Sequence, residues 1–306
     1  MAKSKIHPVR VLHLVYSLTR GGTEGQCARM AMEYARRGHG HRVAVFRREG
    51  FFLEAVENRC GPVHEIGIRH IISIDTIRYI RKLSRVVSDS HVDLVHCWDA
   101  DAAIFGSIAA RWAGIPYITS RRDLGDIYPP YKLWLMHRAD LAARRITVNA
   151  EVIRRRIEKD GVPPGRIMVV PNLLDVAEFD HLASQPFSRA AFLPAGRLLV
   201  MVSRLDREKD VGMAIKALSI LSSKYPDVYL VLAGDGPEKK GLADLSESLG
   251  LGRHVLFLGD IHEVPALLKR MEIGLLTPSS NEGLSNSILE YMAGGLPVAA
   301  TDCGGN

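Results

Sequence analysis

At 306 residues the chain exceeds one ordinary core, since domains hold roughly 100–200 residues, and two domains are expected. Its 47% hydrophobic and 24% charged residues are those of globular chains and exclude disorder for most of the length. The charge is uneven, with a net +9 over residues 1–190 and −3 over residues 191–306, so an anionic partner would meet the first half.

In chain order, Met1-Ala2-Lys3-Ser4-Lys5-Ile6-His7-Pro8 carries charge but reaches Pro8 where a leader would have its apolar block, which predicts a cytoplasmic protein. A strand is predicted at Val9–Tyr16, then a glycine-rich turn over Ser17-Leu18-Thr19-Arg20-Gly21-Gly22-Thr23, a helix over Glu24–Arg37 and a strand at His41–Phe46. That is a βαβ unit. Further strands are expected at Val63–Ile66, Val92–His96, Tyr117–Ser120, Ile146–Val148 and Ile167–Val170, with helical stretches between them.

Pro171 through Pro186 to Gly196 is rich in turn formers and reads as the connection between domains, divided as 1–185 and 186–306. The alternation then restarts. Strands are predicted at Leu198–Ser203, Tyr229–Ala233, His254–Leu258, Ile273–Leu276 and Val298–Ala300. The helices between them cover Val211–Ser223, a stretch from Glu238, Val264–Met271 and Leu284–Ala293. The fold class is α/β, two Rossmann-like doubly wound domains of parallel sheet facing a cleft, the second incomplete because the chain stops at Asn306 just after a strand.

The longest weakly polar stretch, Ala102–Ile115, is broken by Arg111 and is too short to span a membrane, which takes roughly 20 apolar residues. Cys27, Cys60, Cys97 and Cys303 lie far apart without a Cys-x-x-Cys, so neither a zinc cluster nor a disulfide framework is indicated. Arg154-Arg155-Arg156 suits either an anionic lipid surface or a solvated helix face. No aromatic ladder accompanies the charge, so nucleic acid is not expected as a partner.

Ligands of open parallel sheets bind at the carboxyl ends of the strands, and four loops there are informative. Gly21-Gly22 before a helix leaves free N–H groups for an anion, although a plain tight turn accounts for the same residues. Arg204 and Lys209 could grip a diphosphate from two sides, or pair at the surface with Asp206 and Glu208. Gly234-Asp235-Gly236-Pro237 is explained by turn formation. In Glu282-Gly283-Leu284-Ser285 through Glu290, the carboxylates stand about two helical turns apart, and both could face one polyhydroxylated ligand. Between them Gly283, Leu284 and Ser285 open a predicted helix whose N–H groups suit phosphate.

The pattern Glu282-x7-Glu290 followed by Tyr-Met-Ala-Gly-Gly-Leu-Pro-Val-Ala-Ala-Thr-Asp-Cys-Gly-Gly-Asn resembles the signature of the family 4 retaining glycosyltransferases, which have the GT-B fold. Gly21-Gly22-Thr23-Glu24, Val170-Pro171-Asn172-Leu173-Leu174-Asp175, Ser203-Arg204-Leu205 with Lys209, Gly234-Asp235-Gly236-Pro237 and Phe257-Leu258-Gly259 agree in the same order. The resemblance therefore covers nearly the whole chain.

It implies transfer of a hexose from a nucleotide-diphosphate sugar to a glycan or lipid-linked acceptor with retention of configuration. Arg204 and Lys209 would neutralise the donor diphosphate, Glu282 would contact hydroxyls of the transferred sugar and Glu290 would hold the ribose. Gly22 and Gly283, Leu284 and Ser285 would offer backbone donors. No cofactor and no metal is required in this reading. Where the family commonly has a histidine after a first-domain strand, this chain has Arg121-Arg122-Asp123. His96, Asp99, Asp101 and Asp123 are therefore the acceptor-side candidates, each also readable as a helix cap or local pair.

The family continues beyond the equivalent of Gly304-Gly305-Asn306 with a glutamate and further helices, so a C-terminal truncation is expected. The basic first domain would attach peripherally to anionic lipid at the inner face of the cell membrane. The rival readings are an isomerase resembling the UDP-sugar 2-epimerases and an inactive sugar-nucleotide-binding fragment.

Overall fold

A computed structural model describes residues 9–67 and 75–306; the leader reading of residues 1–8 lies outside them. The chain forms two compact units that divide between Leu173 and Leu174. Among the described residues no helix is long and apolar enough to cross a membrane.

The first unit alternates regularly: β1 (Val11–Val15), α1 (Gly22–Arg36), β2 (His41–Val45), α2 (Leu53–Cys60), β3 (His64–Glu65), α3 (Thr76–Asp89), β4 (Leu94–Cys97), α4 (Ala100–Trp112), β5 (Tyr117–Arg121), α5 (Pro130–Ala142), β6 (Arg145–Val148), α6 (Glu151–Lys159) and β7 (Ile167–Val169). Its seven-stranded sheet has the order β3-β2-β1-β4-β5-β6-β7, with parallel pairing throughout the described ladders. All of β1 is buried, as a central parallel strand covered on both faces must be. The strand order reverses between β1 and β4, the kind of switch point at which open parallel sheets bind ligands.

In the second unit the order is α7 (Val176–Ala183), β8 (Arg197–Val202), α8 (Val211–Ser222), β9 (Val228–Ala233), α9 (Lys239–Ser248), β10 (Val255–Gly259), α10 (Val264–Leu268), β11 (Ile273–Leu276), α11 (Asn286–Ala293) and β12 (Val298–Ala300). The parallel five-stranded sheet runs β10-β9-β8-β11-β12, so its own switch point lies between β8 and β11.

The structure departs from the sequence expectation in two places. The stretch read as an irregular connection contains α7, capped by the Asp175 side chain, which accepts from the Glu178 N–H at 3.0 Å. Phe179 and Ala183 of α7 are buried in the second unit's core, which is why the units divide ahead of residue 185. The helix predicted from Leu284 begins at Asn286, with Ser285 in extended backbone before it. Ser287 Oγ donates to Val202 C=O at 2.6 Å, and the Tyr291 hydroxyl accepts from the Val202 N–H at 2.7 Å. Those two bonds fix α11 on the end of β8 and leave residues 283–285 as approach loop.

Candidate active site

The second unit builds its candidate site at the β8/β11 switch point. The loop after β8 carries Arg204 and Lys209, and the loop after β11 carries Glu282. Lys209 Nζ donates to Glu282 Oε2 at 2.5 Å, joining the two loops directly. Ser279 N–H donates to Glu208 C=O at 2.9 Å, and Thr277 Oγ1 donates to Asp210 C=O at 3.0 Å. The loops therefore hold each other through backbone as well as side chain.

Arg204 lies 2.8 Å from Asp206 and is 68% exposed. The surface pairing considered for Arg204 is thus present, whereas Lys209 turns to Glu282 rather than to Glu208. Asp206 also caps the short helical turn at residues 207–209 through the Lys209 N–H at 3.3 Å.

Two glycines let the loops close on one another. Gly234 has φ +141°, and a Cβ there would run into the Ser203 carbonyl. Gly304 has φ +66°, and a Cβ there would run into the Glu282 backbone. Both positions need glycine for conformation and for space.

Glu282, Gly283 and Ser285 are buried, while Leu284 and Glu290 are half-buried. Glu290 sits on α11 immediately before Tyr291, whose ring is buried against Gly274 of β11. Tyr291 also donates to Leu275 C=O at 3.2 Å. The anchoring by Tyr291 and Ser287 was not read from the sequence; the only signal was polar groups on an otherwise apolar helix face, and it names no partner.

In the first unit, Gly22 opens α1 behind the N-cap Gly21, and the Glu24 carboxylate folds over Gly21. Arg20 lies 3.9 Å above the Phe51 ring. Across the switch point, Asp99 accepts from the Ala102 N–H at 2.9 Å as the cap of α4 and from the Tyr16 N–H at 2.6 Å. Burial pushes its carboxyl up to about 7, against the pull of those two amides. Asp101 pairs with Lys132 at 2.8 Å. Asp123 accepts from the Tyr128 hydroxyl at 3.1 Å, and burial raises its carboxyl above the ordinary range.

His96 is buried, bonded to Ser120 Oγ at 2.8 Å and stacked on Trp98 at 4.2 Å. Burial holds it well below the ordinary histidine range, so it is neutral. The four acceptor-side candidates thus lie on β4, on the start of α4 and on the loop after β5, each with a local partner. Asp99 and Asp123 share a small cavity with Thr23, Ser120, Arg122 and Tyr128.

Arg122 was not singled out from the sequence. Its guanidinium lies 4.7 Å over the Trp98 ring and donates to Asn172 Oδ1 at 2.6 Å. Beside it, Gln26 holds both the N–H and the C=O of Leu173, at 2.7 and 2.9 Å. Burial lowers the Arg122 guanidinium to about 10, so it stays cationic at neutral pH. Among the described residues no group of three or more histidine, cysteine or acidic side chains converges as a metal site would.

Family models agree with this layout. That of Glycosyltransferase Family 4 matches residues 20–178, and that of Glycosyl transferases group 1 matches residues 188–306. The chain is 27% identical over 256 residues to the UDP-Gal:alpha-D-GlcNAc-diphosphoundecaprenol alpha-1,3-galactosyltransferase of Escherichia coli, covering 78% of this chain and 65% of the relative. It is 28% identical over 229 residues to the 2-deoxystreptamine glucosyltransferase of Streptomyces kanamyceticus, covering 67% and 57%. The chain spans less than two thirds of the length of these curated relatives. The crystal structure of Anabaena HepE with UDP and glucose shares the GT-B fold at a TM-score of 0.84, with 23% identity over 97% of this chain and 82% of that one.

Proposed function

This chain belongs to Glycosyltransferase Family 4, and on that premise we propose that it transfers a hexose from a nucleotide-diphosphate sugar to a glycan or lipid-linked acceptor with retention of configuration. The observation that carries the reading is the Lys209–Glu282 pair, which sets a cation and a carboxylate side by side at the β8/β11 switch point. A donor has both features to satisfy: an anionic diphosphate and a hydroxyl-rich sugar.

The hard step is departure of the nucleoside diphosphate. Negative charge grows on the leaving phosphate as the bond to the anomeric carbon breaks, and fixed cations lower that barrier. Lys209 is held in place by Glu282. Arg204, exposed on the same loop, exchanges Asp206 for a phosphate oxygen, a stronger bidentate partner. Glu282 accepts from sugar hydroxyls and Glu290 from the ribose, while the residues 283–285 supply backbone N–H groups. The reaction so written needs no metal or other cofactor.

In the first unit, Asp99, Asp101, Asp123 and His96 belong to the acceptor side. The UDP-Gal named for one similar protein and the UDP named in the complex of another support a uridine nucleotide, and the undecaprenol-linked substrate of the first supports a lipid-linked acceptor. Such an acceptor places the protein at the inner face of the cell membrane, attached peripherally. Retention is tested by the anomeric proton coupling in the product spectrum: an α-configured donor gives an α-linked product if the reading holds, and a β-linked product if it does not.

A further inference from the structure

We propose that the outer face of α4 and α5 is the surface by which this protein docks on an anionic lipid bilayer. The proposal rests on the peripheral attachment proposed above and gives it a place. The sequence offered the Arg154–Arg156 run on α6 instead. There, Arg154 pairs with Glu151 and Glu158, at 3.4 and 2.8 Å, and Arg156 lies 3.8 Å from both Asp126 and Asp160. A leaflet would have to displace those carboxylates.

The α4/α5 face differs in both charge and apolar character. The chain has three tryptophans; Trp98 is buried, but Trp112 at the end of α4 is 57% exposed and Trp134 on α5 is 62% exposed. Tyr131 stands beside Trp134, one turn earlier, and Ile127 is exposed just ahead of the helix. Exposed large apolar side chains gathered on one face mark an interaction surface. Tryptophan and tyrosine in particular settle at the level of lipid headgroups, with an apolar ring and a polar N–H or O–H.

Between the helices runs a groove of about 370 Å³ floored by Ile104, Ile108, Leu135 and Leu141, with Arg111 and Arg138 on its walls. Both arginines are exposed. The acidic side chains of the two helices are engaged elsewhere, Asp101 with Lys132 at 2.8 Å and Asp140 with Arg121 at 3.1 Å. Guanidinium groups beside an apolar groove match a lipid phosphate above an acyl chain, and the balance of charge on these helices favours an anionic leaflet over a neutral one.

Flotation with vesicles of phosphatidylcholine alone and with added phosphatidylglycerol tests this on the whole chain. Binding is expected only with the anionic lipid, with a blue shift of tryptophan emission. Replacing both arginines (R111Q with R138Q) should lower the partition coefficient about thirtyfold, at about 1 kcal/mol per cation near the leaflet. Trp112→Ser with Trp134→Ser should lower it and abolish the shift, while Arg154→Gln with Arg156→Gln should leave both unchanged. The α4/α5 positions are exposed, and unaltered melting verifies that all the variants fold. Binding unaffected by the α4/α5 variants, or equal on neutral vesicles, would overturn the proposal. So would sedimentation showing that Trp134→Ser converts a dimer to a monomer, which would assign the face to a second copy. Vesicle binding needs no donor or acceptor, so a chain that binds but transfers nothing contradicts the proposed function and leaves the docking surface standing.

Discussion

The Lys209 ammonium lies 2.5 Å from Glu282 Oε2, joining side chain to side chain the loops that leave β8 and β11. Both side chains are largely buried, so removing one leaves the other's polar group without that partner. Lys209→Ala should therefore destabilise the second unit by about 2 kcal/mol, the cost of a buried polar group left without its partner. Adding Glu282→Gln should restore part of that loss, whereas Arg204→Ala should leave stability unchanged because Arg204 is exposed. Urea unfolding of the four proteins in the Lys209/Glu282 cycle measures the coupling, and additive losses would show the pair to be independent.

Glu282 and Glu290 should separate in their effects on the donor. Glu282→Gln keeps the shape and removes the charge, so turnover should fall more than nucleotide affinity. Glu290→Ala should chiefly weaken nucleotide binding. Calorimetric titration with UDP and with UDP-glucose reads the difference; equal UDP affinity for Glu290→Ala and the parent would remove Glu290 from the ribose site.

Tyr291→Phe should cost about 1–3 kcal/mol, because it leaves the Val202 N–H and the Leu275 C=O without partners in a buried place. The ring still fills the space over Gly274, so no cavity contributes. Chemical denaturation gives the magnitude, and an unchanged midpoint would show that α11 is held on β8 without the hydroxyl.

Asp99 should make stability depend on pH. Burial raises its carboxyl to about 7 in the folded protein, so the native state holds a proton that the unfolded chain releases at lower pH. Its contribution is complete below the ordinary carboxylate range and is lost as pH rises toward 7. Asp99→Asn retains a cap for α4 but does not titrate. Its stability relative to the parent should rise between about pH 4 and about pH 7 and level off above. Unfolding midpoints for the two proteins across that range provide the check, and a flat difference would contradict it.

The parallel sheets were legible in the sequence because buried strands such as Leu12 to Val15 and Leu198 to Val202 are nearly continuous apolar runs between turn signals. Edges blurred where pairing rather than composition decides: β3 keeps only His64 and Glu65 of the Val63–Ile66 run. The helix α7 was hidden by flanking prolines, and what makes it helical is the burial of Phe179 against distant α10 and α11. Within the candidate site, the loops that carry Arg204, Lys209 and Glu282 could be read from the sequence. The Lys209–Glu282 contact could not, because it joins residues 73 positions apart. The same holds for Gln26 on Leu173 and Arg122 on Asn172, where ordinary polar residues gain their roles only from the sheet order.

Transfer of label from radiolabelled UDP-hexoses to a pool of glycan and lipid-linked acceptors, by the parent chain and by Arg204→Ala, tests the central reading most directly. Label should move to the acceptor with the parent, and Arg204→Ala, folded and equally stable, should lose about 2–4 kcal/mol of transition-state stabilisation, the usual magnitude for one group facing a developing oxyanion. Label that remains on the nucleotide, appears as an epimerised UDP-sugar, or moves equally well with both proteins would contradict it.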